Sequence, residues 1–146
     1  MKIAGTALVR APRERVWELL VTPELLARCL PGCEKLEATG PDRYNVALKI
    51  SVAAVSGKFS GSVEISEKQP PSVLRMRVEG KGAPGFMNGN GLLRLSEVTG
   101  GTEVRYEGEA QVGGLVAAVG SRLLEATAKK VIQQFFSRAE EELSKS

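Results

Sequence analysis

Apolar and polar positions alternate with a period of two through most of this chain. Ile3, Gly5, Ala7 and Val9 share one face of a strand over residues 2–9. Tyr44, Val46, Leu48 and Ile50 share a face of the next. After a break near Ala53 and Ala54, Val55, Gly57, Phe59, Gly61, Val63 and Ile65 do the same. Residues 68–72 form a turn. Leu74, Met76, Val78 and Gly80 then alternate with Arg75, Arg77 and Glu79. Met87, Gly89, Gly91, Leu93 and Leu95 follow, then Val104, Tyr106, Gly108, Ala110 and Val112 between charged neighbours. Such strands build an antiparallel sheet that is apolar on one side and charged on the other.

Three segments keep a helical period instead. Pro12 suits a first helical position, and Val16, Trp17, Leu19 and Leu20 make the apolar side that follows. Thr22 and Pro23 start a second short helix, with Leu25, Leu26, Cys29 and Leu30 at helical spacing and Pro31-Gly32 ending it. From 115 to about 143, Val116, Val119, Leu123, Thr127, Val131 and Phe135 recur every three or four residues, and Ile132, Phe136 and Ala139 widen the stripe. So long a helix must lie across the sheet to bury that stripe. The expected fold is α+β, of the helix-grip kind: a curved antiparallel sheet of about six to seven strands wrapped around a long C-terminal helix, with two short helices after the first strand. Residues 1–146 are read as one domain.

Gly57, Gly61, Gly80, Gly89, Gly91 and Gly108 all fall on the apolar parity. Glycine in a strand marks a bend, a bulge or a close approach. Clustered on one face, these glycines imply strong curvature and room inside. Room for the final helix alone accounts for them equally well. Residues 80–91 are expected to form a flexible loop whose apolar side chains, Phe86 and Met87, gate a cavity; the alternative is a hairpin with Phe86 in the core.

Composition narrows the function. The net charge of +3 is weak and scattered. It gives no basic stripe for nucleic acid, while a weak attraction to an anionic membrane or an acidic partner is compatible with it. No segment has the length or apolarity of a membrane span, and the N-terminus has no signal-peptide core, so a cytoplasmic protein is expected. The chain has no histidine. That removes Ser-His and Cys-His nucleophiles. Cys29 and Cys33 have neither zinc-site nor Cys-x-x-Cys spacing. They read as small buried residues beside a Pro-Gly turn, with a strained disulfide as the alternative. No metal and no cofactor are expected.

Several segments together resemble the CoxG family, which accompanies aerobic carbon monoxide dehydrogenase. They are residues 16–20 (Val-Trp-Glu-Leu-Leu), 29–34 (Cys-Leu-Pro-Gly-Cys-Glu), Gly85-Phe86, Gly101-Thr102-Glu103, Gly113-Gly114-Leu115, Gly120-Ser121-Arg122, Ala128-Lys129-Lys130 and Phe135-Phe136. The resemblance runs along almost the whole chain in order. It implies a START-like (SRPBCC) helix-grip fold that binds an apolar ligand. It also implies association with a molybdenum-containing dehydrogenase, linking that enzyme to the membrane and its quinones at the inner face. The family is not itself a redox enzyme. Longer members continue past the final helix into a tail thought to contact membrane, whereas here the last residues are polar, Glu140 to Ser146.

The reading that follows is a non-enzymatic carrier or adaptor for a hydrophobic, quinone- or lipid-like molecule, with a homodimer compatible. The candidate ligand-binding residues are Leu26, Tyr44, Phe59, Met76, Phe86, Met87, Tyr106, Leu123 and Phe135. Tyr44 and Tyr106 supply hydroxyls to orient a carbonyl oxygen. The alternatives are a START-like cyclase or hydrolase acting on an apolar substrate, disfavoured because the inward positions hold almost only apolar residues and tyrosines, and an assembly factor whose cavity is filled by its own side chains.

Overall fold

The computed structural model describes residues 1–52 and 55–145. Ala53 and Ala54, where the sequence suggests a break, lie outside the described residues, as does Ser146. Seven strands form one antiparallel sheet: β1 (Lys2–Val9), β2 (Cys33–Gly40), β3 (Arg43–Val52), β4 (Val55–Gln69), β5 (Val73–Gly82), β6 (Gly85–Val98) and β7 (Gly101–Gly113). Their order is β1-β7-β6-β5-β4-β3-β2, so β2 to β7 meander and β1 closes onto β7. The fold is the expected α+β helix-grip: a curved sheet, a long C-terminal helix, and two short helices after the first strand.

Each helix follows from its sequence. In α1 (Arg13–Val21), Val16, Trp17, Leu19 and Leu20 are buried. Pro12 stands one position earlier than expected, at the N-cap, and its carbonyl accepts from the Arg15 and Val16 amides. Pro23 opens α2 (Pro23–Cys29), which buries Leu26 and Cys29. Pro31-Gly32 ends it, and the Gly32 carbonyl accepts a 2.8 Å bond from the Lys49 amide, which ties this turn to β3.

The last helical segment differs from the sequence expectation. Gly114–Val119 is a 3-10 helix, and α3 spans Ser121–Ser144. Gly120, at φ 92°, breaks the run between them, a conformation that favours glycine. The break changes the helical phase, so Leu123 in the first turn of α3 is 50% exposed. The stripe that packs inward runs through Thr127, Phe136, Ala139 and Leu143, with Val131, Ile132 and Phe135 half-buried. At 1.5 Å per residue α3 is about 36 Å long, and it packs against β1, α1, α2 and β3.

Two apolar clusters form. The larger joins Val9, Leu19, Leu20, Leu26, Val63, Leu74 and Val104 to Phe136, Ala139 and Leu143. The smaller joins Ile50, Val55, Phe59 and Val116, with Met87, Val112 and Val131 against them. The outer face carries a cross-strand ladder in register: Arg43, Glu64, Arg77, Asn90, Glu109 and Lys2. Pairs of this kind, such as Arg43–Glu64 at 2.9 Å, add at most about 1 kcal/mol each when solvated.

Candidate functional site

A cavity of about 240 Å³ lies between α3 and the concave sheet. Met76 and Val78 of β5, Leu93 of β6 and Tyr106 of β7 form its sheet wall. Val131, Ile132, Phe135 and Phe136 form the helix wall, while Leu30 and Pro31 close one side from the end of α2. Ile3 of β1, Ala110 of β7 and three glycines, Gly89, Gly91 and Gly108, supply the rest of the sheet side, and at the glycines the wall is backbone alone. A side chain built at Gly89 would meet nothing within 4 Å, so the space before it is open. At Gly61 the opposite holds: a Cβ would overlap the Glu79 carbonyl on the neighbouring strand. The inward glycines therefore do two jobs, leaving room at Gly89 and allowing strands to crowd at Gly61.

Tyr106 is the polar side chain of inward parity in this lining. Asn90, Glu107 and Glu109 alternate outward. The Tyr106 ring stacks on Phe136 with centroids 6.3 Å apart, and Phe136 meets Phe135 edge-on at 5.1 Å. Its phenol occupies the space that a side chain at Gly5 would fill, since Gly5 and Tyr106 are register partners across β1 and β7. No hydrogen bond is made by that hydroxyl among the described residues. The site thus offers apolar surface, an aromatic stack and one uncommitted donor–acceptor group.

Of the residues proposed from sequence, Met76, Tyr106 and Phe135 come together around this cavity. The others do not. Leu26 is fully buried between the helices and the sheet. Tyr44 is 4% exposed in the same cluster, and burial, reinforced by the nearby Asp42 charge, pushes its phenol pKa up. Phe59 and Met87 belong to the smaller cluster. Leu123 is exposed at the helix start for the reason given above. The gate expected of residues 80–91 is absent. The segment is the paired end of β5 and β6, turning through Ala83 and Pro84. Phe86 is register partner to Lys81 and Gly113 and lies over Gly113 on the outer face, 44% exposed. Glycine richness here serves pairing and close approach rather than a loose loop. Sequence reasoning missed Val78, Leu93, Ile132 and Phe136 as lining residues, although they share face or stripe with Met76, Tyr106 and Phe135.

A more polar depression of about 440 Å³ lies on the opposite face of the same glycines, lined by Arg75, Arg77, Glu79, Asn88 and Gln111. It provides charge and no apolar wall. Among the described residues no group of three or more Cys, Asp or Glu side chains is placed to hold a metal ion. Both cysteines are free thiols, and Cys33 is part-exposed rather than buried. Burial pushes the Cys29 pKa up to about 11, with the Glu142 charge adding to it. Burial also raises Cys33, whose thiol donates to the Lys35 carbonyl at 3.5 Å. Alkylation needs thiolate, which at pH 8 is about one part in a thousand for Cys29. Iodoacetamide at pH 8 is expected to modify Cys33 in folded protein and Cys29 only after unfolding. Equal labelling rates of the two in folded protein would contradict this placement.

A curled sheet gripping a terminal helix, with an apolar cavity between them, is the architecture of START-like (SRPBCC) proteins. The chain belongs to the CoxG family of carbon monoxide dehydrogenase subunits, whose profile matches residues 5–144. It is similar to a conserved protein of Geobacillus kaustophilus, at 37% identity and TM-score 0.95, over 100% of this chain and 97% of that one. A Chromobacterium violaceum protein shares the fold at 20% identity and TM-score 0.67, over 95% and 96% of the two chains. A Rhizobium leguminosarum protein does so at 13% identity and TM-score 0.74, over 100% and 95%. No protein of curated function matches the chain. No helix among the described residues is long and apolar enough to cross a membrane.

Proposed function

We propose that this chain is a non-catalytic carrier or adaptor that holds an apolar, carbonyl-bearing molecule, quinone- or lipid-like, for a molybdenum-hydroxylase-type carbon monoxide dehydrogenase. The observation that carries this reading is the apolar cavity between α3 and the sheet with Tyr106 in its lining, whose hydroxyl has no hydrogen-bond partner among the described residues. Family membership supports the dehydrogenase as the partner. Burial of apolar surface drives entry, and one hydrogen bond to Tyr106 orients the ligand. At about 240 Å³ the cavity is smaller than the roughly 300 to 1,000 Å³ of most ligand pockets. It therefore takes a single ring or a short acyl segment, and any long chain attached to that ring stays outside. The cavity lining has no inward acid, base or metal set for turnover, so the role is holding and delivering.

The test is a calorimetric titration with a short-chain benzoquinone and with the corresponding alkylbenzene, which lacks the carbonyls. Tyr106→Phe is expected to weaken quinone binding by about fivefold, the worth of one net hydrogen bond near 1 kcal/mol, and to leave the alkylbenzene unchanged. Equal losses for both would reduce Tyr106 to a packing residue. Absence of saturable binding by either in the unmodified protein would defeat the carrier reading.

A further inference from the structure

We infer that Gly5 is a positioning residue for the ligand: by lacking a side chain it seats the Tyr106 hydroxyl at the β1 edge of the cavity, so that the ligand's carbonyl is met there. This rests on the reading above, in which Tyr106 orients the ligand.

The backbone does not ask for glycine at position 5. Gly5 stands inside β1, in register with Tyr106, and its φ is outside the left-handed region. Glycine in a strand interior costs stability, so the reason for it lies in the space it leaves. At Gly61, Gly82 and Gly108 a Cβ would run into a carbonyl of the neighbouring strand, which is a demand of strand packing. At Gly5 the three nearest atoms all belong to the Tyr106 side chain. They are the hydroxyl oxygen at 2.5 Å, the ring carbon that bears it at 2.8 Å and the next ring carbon at 3.3 Å. Any other residue here would push the phenol from its place.

A second contact fixes the ring from the helix side. Tyr106 stacks on Phe136 of α3, 19° from parallel. The next inward pair along the same two strands reverses the sizes: Ile3 on β1 is opposite Gly108 on β7, and both line the cavity. Ile3 and the phenol therefore share the β1–β7 side of the space, and the carbonyl end of a ligand belongs there. Hydrogen bonds weaken steeply once the donor angle falls below about 120°. A phenol moved off Gly5 keeps its bulk and loses its aim. Gly5 thus acts through Tyr106, on the ligand's carbonyl and not on its apolar surface.

Gly5→Ala tests this with two probes, a short-chain benzoquinone and the corresponding alkylbenzene. A displaced ring that takes up cavity volume weakens both alike, and that loss cancels in their ratio. The preference for quinone over alkylbenzene is expected to fall about fivefold, as in Tyr106→Phe, the worth of one net hydrogen bond. In a Tyr106→Phe background, Gly5→Ala should leave the remaining preference unchanged. An unaltered preference in the single variant, or a further fall in the double variant, would reduce Gly5 to a packing residue. Ligand-free protein supplies a separate readout that needs no variant at position 5 to fold. Tyr44 and Tyr106 are the chain's two tyrosines, so comparison with Tyr106→Phe assigns their ring signals in a nuclear magnetic resonance spectrum. The parent protein is expected to show contacts between the Tyr106 ring protons and the Gly5 α protons. Contacts missing while quinone binds would overturn the role of Gly5 alone. Contacts present with neither probe bound would overturn the carrier reading, and with it any role of Gly5 toward a ligand.

Discussion

Gly89→Leu is expected to abolish ligand binding while the protein melts at the same temperature or a few degrees higher. Gly89 is a strand residue of inward parity with an ordinary φ, and nothing lies within 4 Å of where its Cβ would stand. A leucine there needs no backbone movement and projects into the roughly 240 Å³ space. Replacing a strand glycine narrows the unfolded ensemble, worth about 0.5–1 kcal/mol, and the new side chain buries apolar surface. Ligand and side chain then compete for one volume. A steric conflict of about 2 kcal/mol already corresponds to roughly a thirtyfold loss of affinity. Fluorescence titration and a thermal melt on the same preparation check both halves. Unaltered binding would place the ligand elsewhere, and a lower melting temperature would mean the space before Gly89 is not open.

Gly61→Ala is expected to do the reverse, damaging the fold severely through a single methyl group. Gly61 shares the inward parity of Gly89 and is register partner to Gly80. Its Cβ would overlap the Glu79 backbone carbonyl, which belongs to a paired strand and cannot swing aside as a side chain can. Relief requires β4 and β5 to separate where the sheet curls. The cost is set at about 3 kcal/mol or more, the upper range for overpacking. For a chain of this length that is a fall of about 10 °C in Tm. A melting temperature within 2 or 3 °C of the parent protein would contradict the close approach described here.

These two glycines also show where sequence reading stops. Alternation identifies the inward face of a strand, and on that basis β1 and β3 to β7 are legible, as is α3 from its stripe. It does not tell height along the strand or distance to the next strand. Tyr44, Phe59 and Tyr106 are therefore equivalent in the sequence pattern, whereas Tyr44 is buried with the short helices, Phe59 packs with Ile50, Val55 and Val116, and Tyr106 alone of the three lines the cavity. Strand β2 carries no alternation to read: its partly buried positions fall three or four apart, and its register with β3 shifts twice. The glycine density around Phe86 suggests mobility in the sequence, although in the fold it serves tight pairing against Gly113 and around Pro84. The phase change at Gly120, likewise, moves Leu123 from the expected wall to the surface.

The cavity as a ligand site is the central claim, and native mass spectrometry of protein purified without harsh detergent tests it most directly. The expected spectrum shows one bound molecule per chain that is released on gentle activation and is replaced stoichiometrically by an added short-chain benzoquinone. A spectrum of bare chain before and after quinone addition, or an adduct of equal intensity on the Gly89→Leu protein, would contradict it.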